Sequence, residues 1–308
     1  MTINIGLYQT LLSQLEKLRK HNRQGSIKTK ERYYQAMQRF CRYLADEWRL
    51  QKLSNIAPKH FEAYAEHMKK NNKSASTIKT DLAAIRFFHD LMSNPRHELP
   101  DNNQLSLQRR KFLGFNRTWS QHEFDLMLSI ATELLHEDYV CAMCLAYYAG
   151  LRIHECCRID TATAEKVVKT GFLDVKGKNG KPRTVPIDGL IAGVLQKRLQ
   201  ATERGQKLLV PIRVPTHIYI KQLQQFINYH REKLPPRENK ERLTFHGLRH
   251  SYAQKIYSEL IGKGMQEWEA RQKVSKLMGH ERGDVTRIYL STLRTNKTSK
   301  AANIPLKG

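Results

Sequence analysis

Residues 119–155 read WSQHEFDLMLSIATELLHEDYVCAMCLAYYAGLRIHE, and the architecture turns on this stretch. Ser120 and Glu123 form a Ser-x-x-Glu capping box, in which a hydroxyl and a carboxylate each satisfy an N–H that the first helical turn leaves open. Trp119 and Phe124 stand where a hydrophobic staple belongs. A domain therefore begins sharply here, with a helix from Gln121 towards Leu135 and another over about Tyr139 to Tyr148. After Gly150 the pattern changes. Phe172–Val175 and Thr184–Ile187 are short strand-like runs around Lys176–Lys181, and Asn179-Gly180 suits a tight primed turn that demands positive φ. Helical spacing returns from Leu190 onward, so this half reads as mostly helical with one basic hairpin.

Upstream of Trp119 the chain reads as helices only. Leu11, Leu12, Leu15 and Leu18 form an amphipathic start, and Thr29–Trp48 places Tyr34, Met37, Cys41, Leu44 and Trp48 on one face. Pro58 suits a first helical turn ahead of Phe61, Tyr64 and Met68. Ser76 or Thr77 is the expected cap of a helix whose stripe is Ile78, Leu82, Ile85, Phe88 and Leu91, with Lys79 and Arg86 off the stripe. Turn formers cluster over Asn94–Asn103, and Arg109-Arg110-Lys111 is a basic run. The expected division is a helical domain over 1–108, a linker over 109–118 and a second domain over 119–308, a size suited to two cores.

The 308 residues carry 53 Lys+Arg against 29 Asp+Glu, a formal charge of +24. That excess favours a polyanionic partner, nucleic acid first, because basic groups on phosphates release counterions. With 40% hydrophobic residues the chain can bury real cores and is not a disordered basic tail. The longest apolar run, Val140–Gly150, falls short of the roughly 20 residues that span a bilayer. Met1–Lys20 has no basic-then-apolar leader pattern, so a cytoplasmic protein with no membrane role is expected. Five cysteines are too few and too odd for a disulfide framework. Cys141-x-x-Cys144 with Cys156-Cys157 and His154 lies in apolar helical stretches rather than on knuckles, so buried thiols are expected in place of zinc.

Four separated pieces remain: Gly150-Leu151-Arg152-Ile153-His154-Glu155, Gly177-Lys178 in the hairpin, His246-Gly247-Leu248-Arg249-His250, and Gly279-His280 with Tyr289 nine residues on. Singly each has a bland reading, as a surface charge, a solvated hairpin tip or a packed ring. His246 and His250 are spaced as in a zinc-protease helix, but Gly247 stands where that motif requires Glu. Together and in this order the pieces resemble the tyrosine recombinase (phage integrase) family. Ser76–Phe88 is also similar to the family's core-binding domain, and the resemblance covers about residues 15–295. The fold it implies is mainly α: an N-terminal helical core-binding domain and a mostly helical catalytic domain with a small β-hairpin.

The resemblance implies a site-specific recombinase or integrase of a mobile element or prophage, which cleaves and rejoins DNA through a covalent 3′-phosphotyrosine. It makes Tyr289 the nucleophile and gives Arg152 and Arg249 the non-bridging phosphate oxygens, work that suits planar, permanently charged guanidinium forks. His246 and His280 would hydrogen-bond the phosphate or the nucleophile, and Lys178 would protonate the departing 5′-oxygen, with Lys176 and Lys181 as nearby alternatives. Glu155 is expected to orient an Arg or stabilise its helix; His250 is either a DNA contact or a satisfied helix residue, the second reading being favoured. No metal and no small-molecule cofactor is implied, since the cationic side chains supply the charge. The implied partners are double-stranded DNA and three further copies of the chain, a homotetramer on two duplexes, with Lys79 and Arg86 as DNA contacts. Ile304 and Leu306 could anchor a tail on a neighbouring protomer. The competing classes are a DNA-binding regulator without the chemistry and a type IB topoisomerase.

Overall fold

A computed structural model describes residues 4–21, 27–105, 107–108, 116–177, 182–237, 242–279 and 289–290. The chain divides into two compact units, Met1–Lys111 and Phe112–Gly308.

In the first unit the apolar stripes become four helices, α1 (Ile5–His21), α2 (Ile27–Glu47), α3 (Pro58–Lys70) and α4 (Ala75–Asp90). Leu11 and Leu15 of α1 are fully buried with Met37, Phe40 and Leu44 of α2, Phe61 of α3, and Leu82 and Ile85 of α4. Trp48 is the member of the expected α2 stripe that stays exposed, because α2 ends at Glu47. Pro58 occupies the first turn of α3, where its missing N–H costs nothing. The cap of α4 is Ser74 rather than Ser76 or Thr77: its Oγ accepts from the Thr77 N–H at 3.2 Å, so the helix begins at Ala75, two or three residues earlier than expected. Asp81, buried on α4, accepts from Arg39 Nε and Nη2 at 2.8–3.1 Å and so fixes α2 against α4. Arg86 donates to the Pro100 carbonyl (2.8 Å) and Asn102 (3.0 Å) and lies over the Phe61 ring, whereas Lys79 is half-buried.

The second unit opens as its cap foretells. Ser120 N donates to Glu123 Oε2 at 2.7 Å and Glu123 N to Ser120 Oγ at 3.2 Å, which starts α5 (Gln121–Glu133) with Trp119 and Phe124 buried. Next comes α6 (Glu137–Tyr148), buried almost all round as a central helix must be. Then follow α7 (Ile153–Cys156), α8 (Thr161–Thr170), β1 (Phe172–Lys176), β2 (Pro182–Pro186), α9 (Gly189–Gln200), α10 (Thr216–His230), α11 (Phe245–Gly262) and α12 (Glu267–Met278). The strands pair antiparallel from Phe172 opposite Pro186 to Lys176 opposite Pro182, and the Asn179-Gly180 turn itself lies outside the described residues. Helix α11 packs on α6 and α12, and α12 touches β2. Trp119 ties the start of the unit to α11: its N–H donates to Ser251 Oγ (2.8 Å) and its indole N–H to the Thr244 carbonyl (3.0 Å).

All five cysteines are free and buried. Burial pushes the Cys41, Cys144 and Cys157 thiols up to about 12, which leaves them protonated and inert. Among the described residues no group of three or more His, Cys, Asp or Glu side chains is disposed to hold a metal ion, and no helix is long and apolar enough to cross a membrane.

Candidate active site

Arg152 caps α7, the helix that follows the Gly150 turn. Its backbone N–H donates to Glu155 Oε2 at 2.8 Å and its Nη1 to Glu155 Oε1 at 2.9 Å. Glu155 thus stabilises the helix start and orients the arginine together. A second guanidinium meets the same carboxylate: Arg183 of β2 donates through Nη1 to Oε1 (2.9 Å) and through Nη2 to Oε2 (2.7 Å). The Glu155 side chain has no exposed surface. Burial alone would raise its pKa; the Arg183 hydrogen bonds, the Arg152 N–H and both positive charges overcome that and hold it at about 2.

Helix α11 begins at the Thr244 cap and presents His246, Arg249 and His250 within its first two turns. Arg249 is 1% exposed, with Nη1 donating to the Gly150 carbonyl and Nη2 to the Met278 carbonyl. One side chain therefore joins the Gly150 turn, α11 and the end of α12. No carboxylate pairs with it among the described residues, and its Nε lacks an acceptor there. Burial and the nearby Arg152 charge lower its pKa to about 10, which leaves it charged at neutral pH. A buried cation with spare donors and no anion of its own is the chemical description of an anion site.

Tyr289 comes to the same place. Its hydroxyl lies 3.1 Å from His246 Nε2, and its ring stacks on His250 at 4.0 Å between centroids. Its backbone carbonyl accepts from Gln254 Nε2 at 2.9 Å, so α11 holds both its ring and its main chain. His246 keeps part of its surface exposed. Partial desolvation, with the charges of Arg249, Arg117 and Arg152, lowers its pKa to about 4 and keeps the imidazole neutral at pH 7. A neutral ring can accept the phenolic proton. His250 is buried and forms a platform for the Tyr289 ring.

Arg152, His246, Arg249 and Tyr289 are thus gathered around one spot. Lys178 and His280 lie outside the described residues, as do the alternative Lys181 and the tail bearing Ile304 and Leu306; Lys176 is described and exposed at the end of β1. Reading the sequence missed Arg183. The available signal was its two-residue spacing from Val185 and Ile187, which puts a cation on the buried face of a strand.

Gly150 shows how tightly the site is built. It adopts φ +64°, and a Cβ there would stand 2.4 Å from Tyr252 Cδ1. Gly150→Ala combines left-handed strain with a clash against the Tyr252 ring, in the residue whose carbonyl receives Arg249. The expected cost is about 2 kcal/mol or more, read as a fall of about 4–8 °C in the melting temperature of the second unit.

Residues 116–295 match the phage integrase family and residues 13–93 the phage integrase N-terminal SAM-like domain. A tyrosine recombinase of Thermosipho africanus is 25% identical over 279 residues, which cover 88% of this chain and 90% of that protein. The tyrosine recombinase XerD of Halalkalibacterium halodurans is 24% identical, covering 96% and 95%. In fold, the chain is similar to a lambda integrase dimer bound to a COC′ core site, with a TM-score of 0.65 at 17% identity, covering 91% of this chain and 94% of that one. It is also similar to the XerH recombinase bound to palindromic difH, with a TM-score of 0.63 at 19% identity, covering 95% and 84%. Two matched domains in the expected order, over a helical fold that gathers two arginines, a histidine and a tyrosine, establish that this chain belongs to the phage integrase family and is a tyrosine-type site-specific recombinase.

Proposed function

We propose that the protein cleaves and rejoins double-stranded DNA through a covalent 3′-phosphotyrosyl intermediate on Tyr289. The observation that carries this reading is the 3.1 Å contact between the Tyr289 hydroxyl and neutral His246, beside the Arg152 and Arg249 guanidinium groups. As Tyr289 Oη bonds to phosphorus, His246 takes the phenolic proton and the bond to the 5′-oxygen breaks, with Lys178 protonating the leaving oxygen. Arg152 and Arg249 meet the charge that grows on the non-bridging oxygens, and His280 adds a hydrogen bond. The phosphotyrosine keeps the phosphodiester linkage, so a 5′-hydroxyl from another strand reverses the step and completes an exchange.

Exchange between duplexes calls for four protomers on two DNA segments, and we extend the reading to that assembly, acting in the cytoplasm on a mobile element or prophage. The domains are taken as 1–108, 109–118 and 119–308. Lys79 offers its ammonium to the DNA backbone directly. Arg86, tethered to Pro100 and Asn102, offers only the N–H groups left over.

The test uses the duplex that the protein protects from nuclease, nicked just beyond the scissile phosphate so that the freed fragment diffuses away. Protein should then accumulate on the DNA 3′ end as a denaturant-resistant, protease-sensitive adduct with a free 5′-hydroxyl opposite. Linkage to a 5′ end, or cleavage with no adduct, overturns the reading.

A further inference from the structure

We propose that Arg183 is a positioning residue for strand cleavage, which acts through Glu155 to hold the Arg152 guanidinium where the scissile phosphate docks. The inference rests on the reading of Arg152 as a phosphate-binding group. Arg183 stands opposite Val175 in the hairpin and shares the inward face of β2 with fully buried Val185. Its side chain is 7% exposed against 22% for Arg152, so Arg152 is the arginine that opens outward and Arg183 is the one sealed behind it.

Glu155 is the joint between them. Each of its oxygens receives one bond from Arg183 and one from Arg152, through Nη1 to Oε1 and the backbone N–H to Oε2. Both oxygens are therefore fixed in a plane, and the Arg152 fork is aimed by an acceptor that cannot rotate. Charge points the same way. One carboxylate paired with Arg152 alone would be neutral overall, with little pull on a phosphate; with two guanidinium groups the trio keeps a net positive charge, and it is Arg152 that presents it.

The fold makes room for this arrangement at a third element. Gly279, at the end of α12, has φ +60°, and a Cβ there would lie 2.9 Å from Arg183 Cδ. The stem of Arg183 thus runs against a turn that only glycine leaves open. Bidentate geometry matters because Lys carries its charge on a single nitrogen and cannot bridge both oxygens in parallel.

Three variants test the role: Arg183→Met, Arg183→Lys, and Arg183→Met with Glu155→Gln, which relieves the carboxylate left buried without its partner. Each is scored for melting temperature, DNA affinity and single-turnover adduct formation. The substrates are the natural phosphodiester and a methylphosphonate, in which a methyl replaces one charged non-bridging oxygen at the scissile position. The expected result is DNA affinity within about threefold and adduct formation slowed about 10²-fold for Arg183→Met, with Arg183→Lys recovering less than about tenfold. The double variant should melt near the unaltered protein yet stay slow. On the methylphosphonate the loss should shrink below about tenfold, because there is no anionic charge for Arg152 to neutralise. In an Arg152→Ala background Arg183→Met should cost no more than about twofold, since residues acting as one unit are not additive. An equal loss on both substrates, or full additivity with Arg152→Ala, overturns the proposal and makes Arg183 a fold element alone. A normal rate for Arg152→Ala by itself overturns instead the reading of Arg152, and the proposal with it.

Discussion

Tyr289→Phe leaves no covalent protein–DNA adduct on a duplex that the unaltered protein cleaves, a loss of more than about 10⁴-fold in rate. The substitution removes one oxygen and little else. The ring keeps its stack on His250, and the Gln254 amide donates to the backbone carbonyl of residue 289, which the side chain does not alter. His246 loses its 3.1 Å partner, but its exposed surface lets water take the place. Folding and DNA affinity should therefore change by less than about twofold, as expected for a group whose main role is in the bond-making step. The measurement is a denaturing gel of the suicide substrate beside a binding titration of the same variant. Adduct formed by the Phe variant at even a hundredth of the normal rate would assign the nucleophile to another residue.

In the proposed reaction, neutral His246 readies the phenol to react near pH 7. A phenol ionises near pH 10 when free, so an acceptor within hydrogen-bond reach is needed. Partial burial first, and then the Arg249, Arg117 and Arg152 charges, hold His246 near 4 and keep it unprotonated and able to accept. The same charges attract the phosphate and stabilise the phenolic oxygen as its proton leaves. Attraction for the anion and preparation of the base are thus one electrostatic arrangement.

The helical parts of this structure were plain in the sequence because they rest on local rules. The Ser120–Glu123 box, Pro58 at a first turn and the Ile78–Phe88 stripe each depend on residues within one or two turns of one another. The cap of α4 falls at Ser74, two or three positions ahead of the expected Ser76 or Thr77, because all three carry a hydroxyl and only the geometry of the first turn selects between them. The site was legible as an ordered set of motifs, and its Tyr289–His246 contact spans 43 positions that no local rule connects. Arg183 escaped notice for a related reason. A basic residue beside a basic hairpin reads as solvated, and only the return of β2 against α7 reveals the buried carboxylate it meets. What the sequence conceals is pairing between charges far apart in the chain, where burial decides their meaning.

Arg249→Ala lowers the cleavage rate by about 10³–10⁵-fold, the scale set by removing a guanidinium from a phosphoryl-transfer transition state. A guanidinium has five N–H donors. The Gly150 and Met278 carbonyls each engage one of them, which leaves the others for a phosphate, including an Nε–H that has no acceptor among the described residues. Those two carbonyls fix the side chain before DNA arrives, so little rearrangement remains for the reaction itself. Removal also orphans them, at about 1–3 kcal/mol each unless water enters, so a stability loss accompanies the catalytic one and must be separated from it. Arg249→Lys provides the separation. It keeps a charge at the buried position, while its single nitrogen cannot reach both carbonyls and a phosphate in the planar arrangement of the native fork. The lysine variant should melt well above the alanine variant yet cleave about 10²-fold more slowly than the unaltered protein. Single-turnover adduct formation, measured well below the melting temperature of each variant, reads the difference. A lysine variant that cleaves at the native rate would reduce Arg249 to a bearer of charge, and a slow but fully stable one ties the rate to the fork that Gly150, α11 and α12 hold in place.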